Sequence, residues 1–419
     1  ALSGRRRGRV RRPGALPPVR AWPWWAQVLL VAALARLASA VLLVLVARHQ
    51  AATPWAGAAP SYPEYVGLFW DGSWYREIAE LGYPEELPLG ADGRARQNAW
   101  AFFPLFPTLV RPLLAVGLPW QVAAPALATL LGAAALLVVH RFVGEVVARS
   151  RWAAGPARRH LPLVTVAVVA THPAAPVLQA AYTESLALLL VAATLLALVR
   201  HRYGAVLLLV PLLGLTRAVA LPMAFVVLVH GLDRVRRVRA GEPFPVRERA
   251  LVALTGAVTL ASGLLWPVVV GLATGEPDAY ARTQAAWRGR DGVVPLLPWW
   301  DVARYLVAGA APLLLLGVAI GLLALVAWPR LRRLGPVAWG WVAGYAAYLV
   351  VVLEPGTSLV RFSLLAFPAA AAAAGAALAP PGRLRRALGV AALLGLGLAG
   401  QALWVWSLWR LVPPSGWPP

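Results

Sequence analysis

The sequence LFWDGSWYREIAELGYPEELPLGADGRARQNAWAFFPLFP, residues 68–107, is a long polar interruption in a chain that is otherwise mostly apolar. It combines acidic with aromatic side chains, namely Asp71, Glu77, Glu80, Glu85, Glu86 and Asp92 with Trp70, Trp74, Tyr75, Trp100, Phe102 and Phe103. Ionised side chains are costly inside a bilayer and usually functional where they occur. We therefore expect this loop to lie outside the membrane and to carry the chemistry of the protein.

Composition places the rest of the chain in the membrane. The apolar fraction is 60% and the charged fraction 13%, whereas an ordinary soluble domain is about a quarter charged. Apolar runs of about 20 residues recur, and each could cross ~30 Å of hydrocarbon. The sequence predicts an all-α polytopic membrane protein with a large first external loop.

The apolar runs predict eleven membrane spans. Their approximate bounds are 26–47, 122–143, 161–180, 182–198, 203–216, 218–232, 250–273, 302–328, 337–353, 362–378 and 387–409. The two spans that flank Arg217 are short, which suggests a broken pair. The segment 102–116 is shorter than a span and contains three prolines, so it is predicted to be an interfacial or re-entrant helix.

Arginine clusters predict the orientation. The chain has no Lys, and its Arg residues concentrate before the first span and in the loops near 141–159, 200–202, 234–249, 330–333 and 383–386. The positive-inside rule puts these loops in the cytoplasm and the loop 48–117 outside. Residues 1–25 are then a disordered cytoplasmic segment, 26–411 the transmembrane domain, and 412–419 an external tail.

Several functional classes are excluded by the same composition. No Cys is present, so neither a disulfide nor a Cys-ligated metal is possible. The six His residues lack the spacing of a zinc site. The basic clusters alternate with apolar spans, which is typical of membrane topology and not of a nucleic-acid surface. We expect no cofactor, no obligatory metal and no nucleic-acid partner.

Asp71 is the first candidate catalytic residue. It follows Phe69 and Trp70 directly, and a carboxylate beside large aromatic side chains is suited to act as a general base. The alternative is that Asp71 caps a helix that starts near Gly72. Both interpretations are compatible with the sequence.

Three further charged residues stand at predicted span ends. Glu184 in AAYTESL is an ionisable residue at the mouth of a span, although capping of the helix start is the alternative. Arg217 in LTRA lies between two short spans. Arg361 in LVRFSLLAFP could bind a phosphate in a bidentate manner or extend towards lipid head groups.

The order of these motifs resembles a known family. WDGSWYREIAELGYP, then AFFPLFP, PAAPVLQAAYTESL, LTRA and RFSLLAFP are similar in type and order to the PIG-V family, membrane mannosyltransferases of the glycosylphosphatidylinositol pathway and their bacterial relatives. The resemblance covers most of residues 68–368. It implies a GT-C-like bundle in a bacterial plasma membrane, with its active site external.

The resemblance also implies a reaction. GT-C enzymes transfer a sugar from a polyprenyl-phosphate donor with inversion, here mannose to a lipid- or glycan-linked acceptor, and Asp71 matches the family's essential acid. An inverting displacement needs a base and positive charge near the departing phosphate. The expected substrate-binding residues are Trp70, Trp74, Tyr75, Phe103, Tyr182, Glu184, Arg217 and Arg361, and the expected partners include membrane lipids. A polytopic transporter or lipid flippase is the alternative.

Overall fold

The computed structural model describes residues 22–150, 156–353, 355–412 and 419. The first half contains the helices α1 (Trp24–Ala47), α2 (Tyr62–Gly67), α3 (Asp71–Glu80), α4 (Leu105–Ala115), α5 (Trp120–Arg149), α6 (Pro156–Ala170), α7 (Glu184–Val199), α8 (Tyr203–Gly214) and α9 (Ala220–Val238). The second half contains α10 (Val246–Thr274), α11 (Ala279–Arg288), α12 (Leu297–Val307), α13 (Ala311–Ala327), α14 (Pro329–Arg333), α15 (Pro336–Val352), α16 (Leu359–Ser363), α17 (Phe367–Ala377) and α18 (Arg383–Trp404).

The helices confirm the prediction of an all-helical polytopic membrane protein. Within the described ranges no β-strand forms, and the loop contains one isolated bridge between Leu89 and Ala95. Six helical segments are long and apolar enough to cross a membrane, namely Trp24–Ala47, Trp120–Arg149, Val246–Thr274, Leu297–Arg333, Leu359–Ala377 and Arg383–Trp409. Glu184–Val199, Tyr203–Gly214 and Pro336–Val352 are shorter apolar helices. The count of eleven spans therefore stays a prediction.

One predicted helix ends early. Residues 161–180 were expected to form a single span, but α6 ends at Ala170 and a 3-10 helix follows at Ala175–Gln179. Pro173 and Pro176 explain the difference, since proline lacks the N–H that an α-helix needs and disfavours the helical conformation of the residue before it. The segment after α6 is thereby bent into a turn at the candidate site.

The helix α7 lies at the centre of the bundle. It is apolar on all sides, and most of its side chains are buried, from Glu184 at its first turn to Leu198 near its end. A helix without a polar face is expected in a protein core or against lipid, and the burial of its side chains places α7 in the core. The long helix α5 packs along it, and α8 and α15 add further contacts.

Arg36 lies within the membrane span α1 and points into the protein. Its guanidinium donates to the carbonyl oxygen of Ala170 at 2.7 Å and also to that of Ala175. The last carbonyls of a helix have no partner within the helix, so Arg36 satisfies one acceptor at the end of α6 and a second in the 3-10 helix that follows it. The side chain of Arg36 therefore pairs with protein groups and does not extend to the membrane surface.

Two backbone hydrogen bonds fix the first loop against the bundle. The N–H of Ala181 donates to the carbonyl oxygen of Val66 at 2.8 Å, and the N–H of Leu105 donates to that of Leu215 at 3.0 Å. The segment 102–116, predicted as a short helix, forms the 11-residue α4. The loop is thereby joined to the turn before α7 and to the break between α8 and α9.

The chain ends carry predictions that the structure leaves open. Of the predicted cytoplasmic segment, residues 1–21 lie outside the described residues, as do residues 413–418 of the predicted external tail. The orientation of the bundle in the membrane stays a prediction.

Candidate active site

Four side chains from distant parts of the sequence form one charged cluster. Asp71 begins α3, Glu184 begins α7, Arg217 lies in the break between α8 and α9, and Arg361 lies in α16. Nη1 of Arg361 lies 2.5 Å from Oδ2 of Asp71. Oε1 of Glu184 lies 2.6 Å from Nη1 of Arg217 and 3.3 Å from Nε of Arg361. Acids and arginines alternate, so the charged cluster of these four residues is formally neutral.

Burial differs strongly within the charged cluster. The side chains of Glu184 and Arg361 are 1% and 6% exposed, while those of Arg217 and Asp71 are 16% and 22% exposed. A buried carboxylate requires paired charge, because ions are expensive to remove from water. Glu184 and Arg361 thus form the buried centre of the cluster, whereas Asp71 and Arg217 form its two accessible ends.

Asp71 is not a helix cap. The residue before the first turn of α3 is Trp70, and no side-chain capping hydrogen bond is present there. The Asp71 carboxylate binds Arg361 instead, and the backbone N–H of Asp71 donates to the Tyr182 hydroxyl at 3.2 Å. The alternative interpretation from the sequence, a cap for a helix beginning near Gly72, is therefore wrong.

The backbone around Asp71 is constrained on both sides. Trp70 has a φ of 56°, a region that costs a bulky L-residue energy and is frequent at functional sites. A Cβ on Gly72 would lie 2.7 Å from the carbonyl oxygen of Gly67. The Trp70 indole also donates from Nε1 to the carbonyl oxygen of Trp409 at 2.8 Å. These contacts hold the carboxylate of Asp71 in place.

Two tyrosines line the charged cluster. The Tyr182 ring lies 4.9 Å from the guanidinium carbon of Arg361, close enough for a cation–π contact. The Tyr75 hydroxyl lies 3.4 Å from Oγ1 of Thr183, which accepts from Arg217 Nη1 at 3.2 Å. Burial raises the pKa of Tyr75 and the Asp71 charge raises it further, so the hydroxyl remains protonated at neutral pH.

An aromatic cluster adjoins Tyr75. The rings of Trp74 and Phe102 stack at 5.6 Å, and Trp287 meets both rings edge-on at 5.4 Å. Tyr75 meets Phe102 at 5.4 Å. Aromatic rings beside charged groups can hold an amphipathic ligand such as a sugar, since they offer apolar faces next to polar partners.

Phe103 and Trp70 are placed differently from Trp74 and Tyr75. The structure puts Phe103 in a separate apolar group, with its ring 5.9 Å from that of Trp266 and 6.4 Å from that of Tyr280. Trp70 is half-buried and packs 5.2 Å from Trp55. The charged cluster therefore contacts Tyr182 directly and Trp74 through its neighbour Tyr75, whereas Phe103 is not brought to it.

Metal-ligating side chains do not gather in the described part of the chain. No group of three or more His, Asp or Glu residues there could hold a metal ion. The positive charge of the candidate site comes from its two arginines.

Comparisons with known proteins give no family assignment. No family model matches the sequence, and no curated protein matches it. Two solved structures of an archaeal oligosaccharyltransferase from Archaeoglobus fulgidus are similar to it. One, in complex with Zn and sulfate, is 14% identical, has a TM-score of 0.46 and covers 93% of this chain and 54% of that chain. The other, in complex with an inhibitory peptide and a dolichol-phosphate, is 13% identical, has a TM-score of 0.46 and covers 95% and 57%.

These likenesses are weak. The chain spans little more than half the length of either oligosaccharyltransferase. A TM-score below 0.5 is too low to establish a shared fold. The resemblance to PIG-V enzymes stays a prediction.

Sequence reasoning missed Trp287 and Thr183. Trp287 belongs to α11, in a segment predicted to be external but not singled out for any side chain. Its indole Nε1 is buried without a hydrogen-bond partner among the described residues. The signal that could have identified it is an aromatic residue in the polar loop between the predicted spans 250–273 and 302–328. Thr183 is part of the quoted AAYTESL motif, in which Glu184 drew attention first.

Proposed function

We propose that the protein is a membrane glycosyltransferase of the GT-C type. It transfers a sugar, mannose by its family resemblance, from a polyprenyl-phosphate donor to a hydroxyl of a lipid- or glycan-linked acceptor at the external membrane surface. The observation that carries the proposal is the charged cluster, because four separate motifs supply two carboxylates and two guanidiniums to one place. Perturbed and paired ionisable groups of this kind are typical of functional sites.

Asp71 is proposed as the general base. Its Oδ2 binds Arg361, while its Oδ1 accepts no hydrogen bond from the described residues, so that oxygen is available to an acceptor hydroxyl. The acceptor oxygen attacks the anomeric carbon from the face opposite the phosphate. The bond from that carbon to the phosphate oxygen breaks, the electron pair leaves with the polyprenyl phosphate, and the hydroxyl proton passes to Asp71.

The two arginines are proposed to have different roles. Arg361 is nearly buried and contacts both Asp71 and Glu184. Arg217 is more exposed and contacts Glu184 but not Asp71. A phosphate that reaches the cluster meets Arg217 more readily and can pair with its free donors. Arg361 then orients Asp71, and Arg217 stabilises the negative charge on the departing phosphate.

A transporter or flippase is the second candidate, and the break at Arg217 favours it. Transporters bind substrates near the bilayer midplane at interrupted helices related by an internal repeat. In this protein three of the four charged residues lie at the first turns of α3 and α7 and in the short α16, beside the polar first loop. That arrangement suits a reaction at the membrane surface better than passage through the bundle.

Kinetics of arginine variants test the different roles proposed for Arg217 and Arg361. Arg217→Gln is expected to raise the KM for the lipid-phosphate donor roughly tenfold or more, because a hydrogen bond to a charged group is lost. Arg361→Gln is expected to lower kcat more than it changes the donor KM, since it disturbs the base. Initial rates at varied donor and acceptor concentrations provide both parameters.

Arg94→Gln is the control, because Arg94 is an exposed arginine of the first loop with a distant partner, Asp291 at 3.9 Å. It should leave both parameters near wild type. An unchanged donor KM in Arg217→Gln together with a raised one in Arg361→Gln would assign the phosphate to Arg361. Unchanged kinetics in both variants would contradict the proposed site.

A further inference from the structure

A large groove lies at the end of the bundle away from the charged cluster. Its volume is about 1140 Å³, and its walls come from α1, α5, α6, the end of α17 and the first half of α18. The far end of α18 leads to Trp409, whose ring lies 5.3 Å from that of Tyr182. Since α18 has 22 residues, its two ends are about 33 Å apart. The groove is therefore separate from the candidate active site.

The groove has a basic rim and apolar walls. Arg159 and His160 near the first residue of α6, and Arg383 and Arg386 near the first residue of α18, line it. No acidic side chain is found among its described lining residues. Deeper in, the lining changes to apolar residues, including Val390 and Leu394. A ligand that fits this pattern has an anionic head and an apolar tail.

Packing explains why the groove is open at this end. At the other end, a Cβ on Gly397 would lie 2.3 Å from the carbonyl oxygen of Thr171, and one on Gly400 would lie 2.8 Å from the Pro173 ring. The two glycines thus let α18 touch the turn that follows α6. Both α6 and α18 bear arginines near their first residues. The like charges of these arginines favour separation of the two helices at this end.

The depth of the groove matches one leaflet of a bilayer. From Arg383 to Leu394, both of which line it, α18 rises about 16 Å at 1.5 Å per residue. Half of the hydrocarbon core of a bilayer is about 15 Å thick. A lipid whose phosphate lies at Arg383 would thus place the end of its acyl chain near Leu394.

We propose that this basic groove binds an anionic phospholipid of the leaflet at that end of the bundle. The lipid phosphate pairs with Arg383 and Arg386, and one acyl chain lies along Val390 and Leu394. Guanidiniums hold phosphate oxygens in a charge-assisted, bidentate manner. Basic pockets between transmembrane helices are suited to anionic head groups. A zwitterionic lipid would bring the cation of its head group towards four basic side chains and therefore binds more weakly.

Native mass spectrometry of the purified protein tests the groove. Phosphatidylglycerol and phosphatidylcholine with the same acyl chains are titrated, and soluble glycerol phosphate is titrated as a tail-less probe. Wild type is expected to bind one phosphatidylglycerol more tightly than phosphatidylcholine. Arg383→Gln/Arg386→Gln is expected to weaken phosphatidylglycerol binding roughly 25-fold, from about fivefold for each arginine near an anionic lipid.

Two further variants separate the groove from a general surface charge effect. Arg236→Gln/Arg239→Gln removes two exposed arginines outside the groove lining and should leave lipid binding unchanged. Ala391→Phe adds bulk to the apolar wall and narrows the groove, so it should weaken lipid binding although every charge remains. Equal loss in both arginine pairs, equal affinity for the two lipids, or glycerol phosphate binding as tightly as phosphatidylglycerol would overturn the proposal. A dimer in place of the lipid adduct would assign the groove to a second copy of the chain and overturn it too.

Discussion

Asp71→Asn is expected to lower the rate of sugar transfer by about 10²–10⁴-fold, the usual cost of removing a general base. The amide oxygen of Asn can still accept a hydrogen bond from Arg361, and Glu184 remains 3.3 Å from the same guanidinium. We therefore expect the variant to fold, with a small fall in its unfolding temperature. Donor binding should change little, because Arg217 is untouched.

Asp92→Asn is the matched control for Asp71→Asn. Asp92 is an exposed acid of the same loop, and its Oδ1 accepts a hydrogen bond from the backbone N–H of Arg94. Its variant should transfer sugar at the wild-type rate. Initial rates with saturating donor, together with thermal unfolding followed by Trp fluorescence, distinguish loss of chemistry from loss of fold. Wild-type activity in Asp71→Asn would remove Asp71 from the mechanism and make Glu184 the next candidate for the base.

Glu184→Gln is expected to have the largest effect on stability. The Glu184 side chain is 1% exposed and lies between Arg217 and Arg361. Removing one partner of a buried ion pair leaves uncompensated charge and costs about 3–5 kcal/mol. The two guanidiniums would repel each other in the variant, and the charged cluster would lose its shape. Thermal or denaturant unfolding in detergent measures the effect, and activity should fall with it.

Glu145→Gln provides a control with nearly the same geometry. Glu145 also lies between two arginines, 2.6 Å from Arg200 and 3.3 Å from Arg149, but its side chain is 26% exposed. Exposed ion pairs contribute about 0–1 kcal/mol, so this variant should unfold near the wild-type temperature. Equal destabilisation by Glu145→Gln and Glu184→Gln would contradict the role assigned to burial.

Sequence reasoning found the helical membrane architecture because long apolar runs have few other stable forms. It also selected Asp71, Glu184, Arg217 and Arg361 from motifs near span ends, and the structure brings these four together. Their pairing was not predictable, since no periodicity reports which acid faces which arginine across 290 residues between Asp71 and Arg361. The same lack of tertiary information explains why no contact between Arg36 and the end of α6 was foreseen.

The differences between expectation and structure have local physical causes. Asp71 was a reasonable capping residue by type, but the unusual φ of Trp70 starts α3 one residue earlier and directs the carboxylate to Arg361. Phe103 and Phe102 are adjacent and chemically alike, yet only Phe102 reaches Trp74 and Trp287. Adjacent side chains point in different directions, and the sequence alone does not say which direction leads to the site.

Sugar transfer from a lipid-phosphate donor is the measurement that tests the proposed activity most directly. Purified protein in lipid vesicles is supplied with polyprenyl-phosphate mannose carrying a radiolabelled sugar, or with the corresponding labelled nucleotide sugar, and with a bacterial lipid extract as acceptor. We expect wild type to move label from the polyprenyl-phosphate donor to a new lipid or glycan product, with none from the nucleotide sugar and almost none in Asp71→Asn. Label that crosses the vesicle membrane still attached to its polyprenyl phosphate, with no new product, would contradict a glycosyltransferase and indicate a flippase.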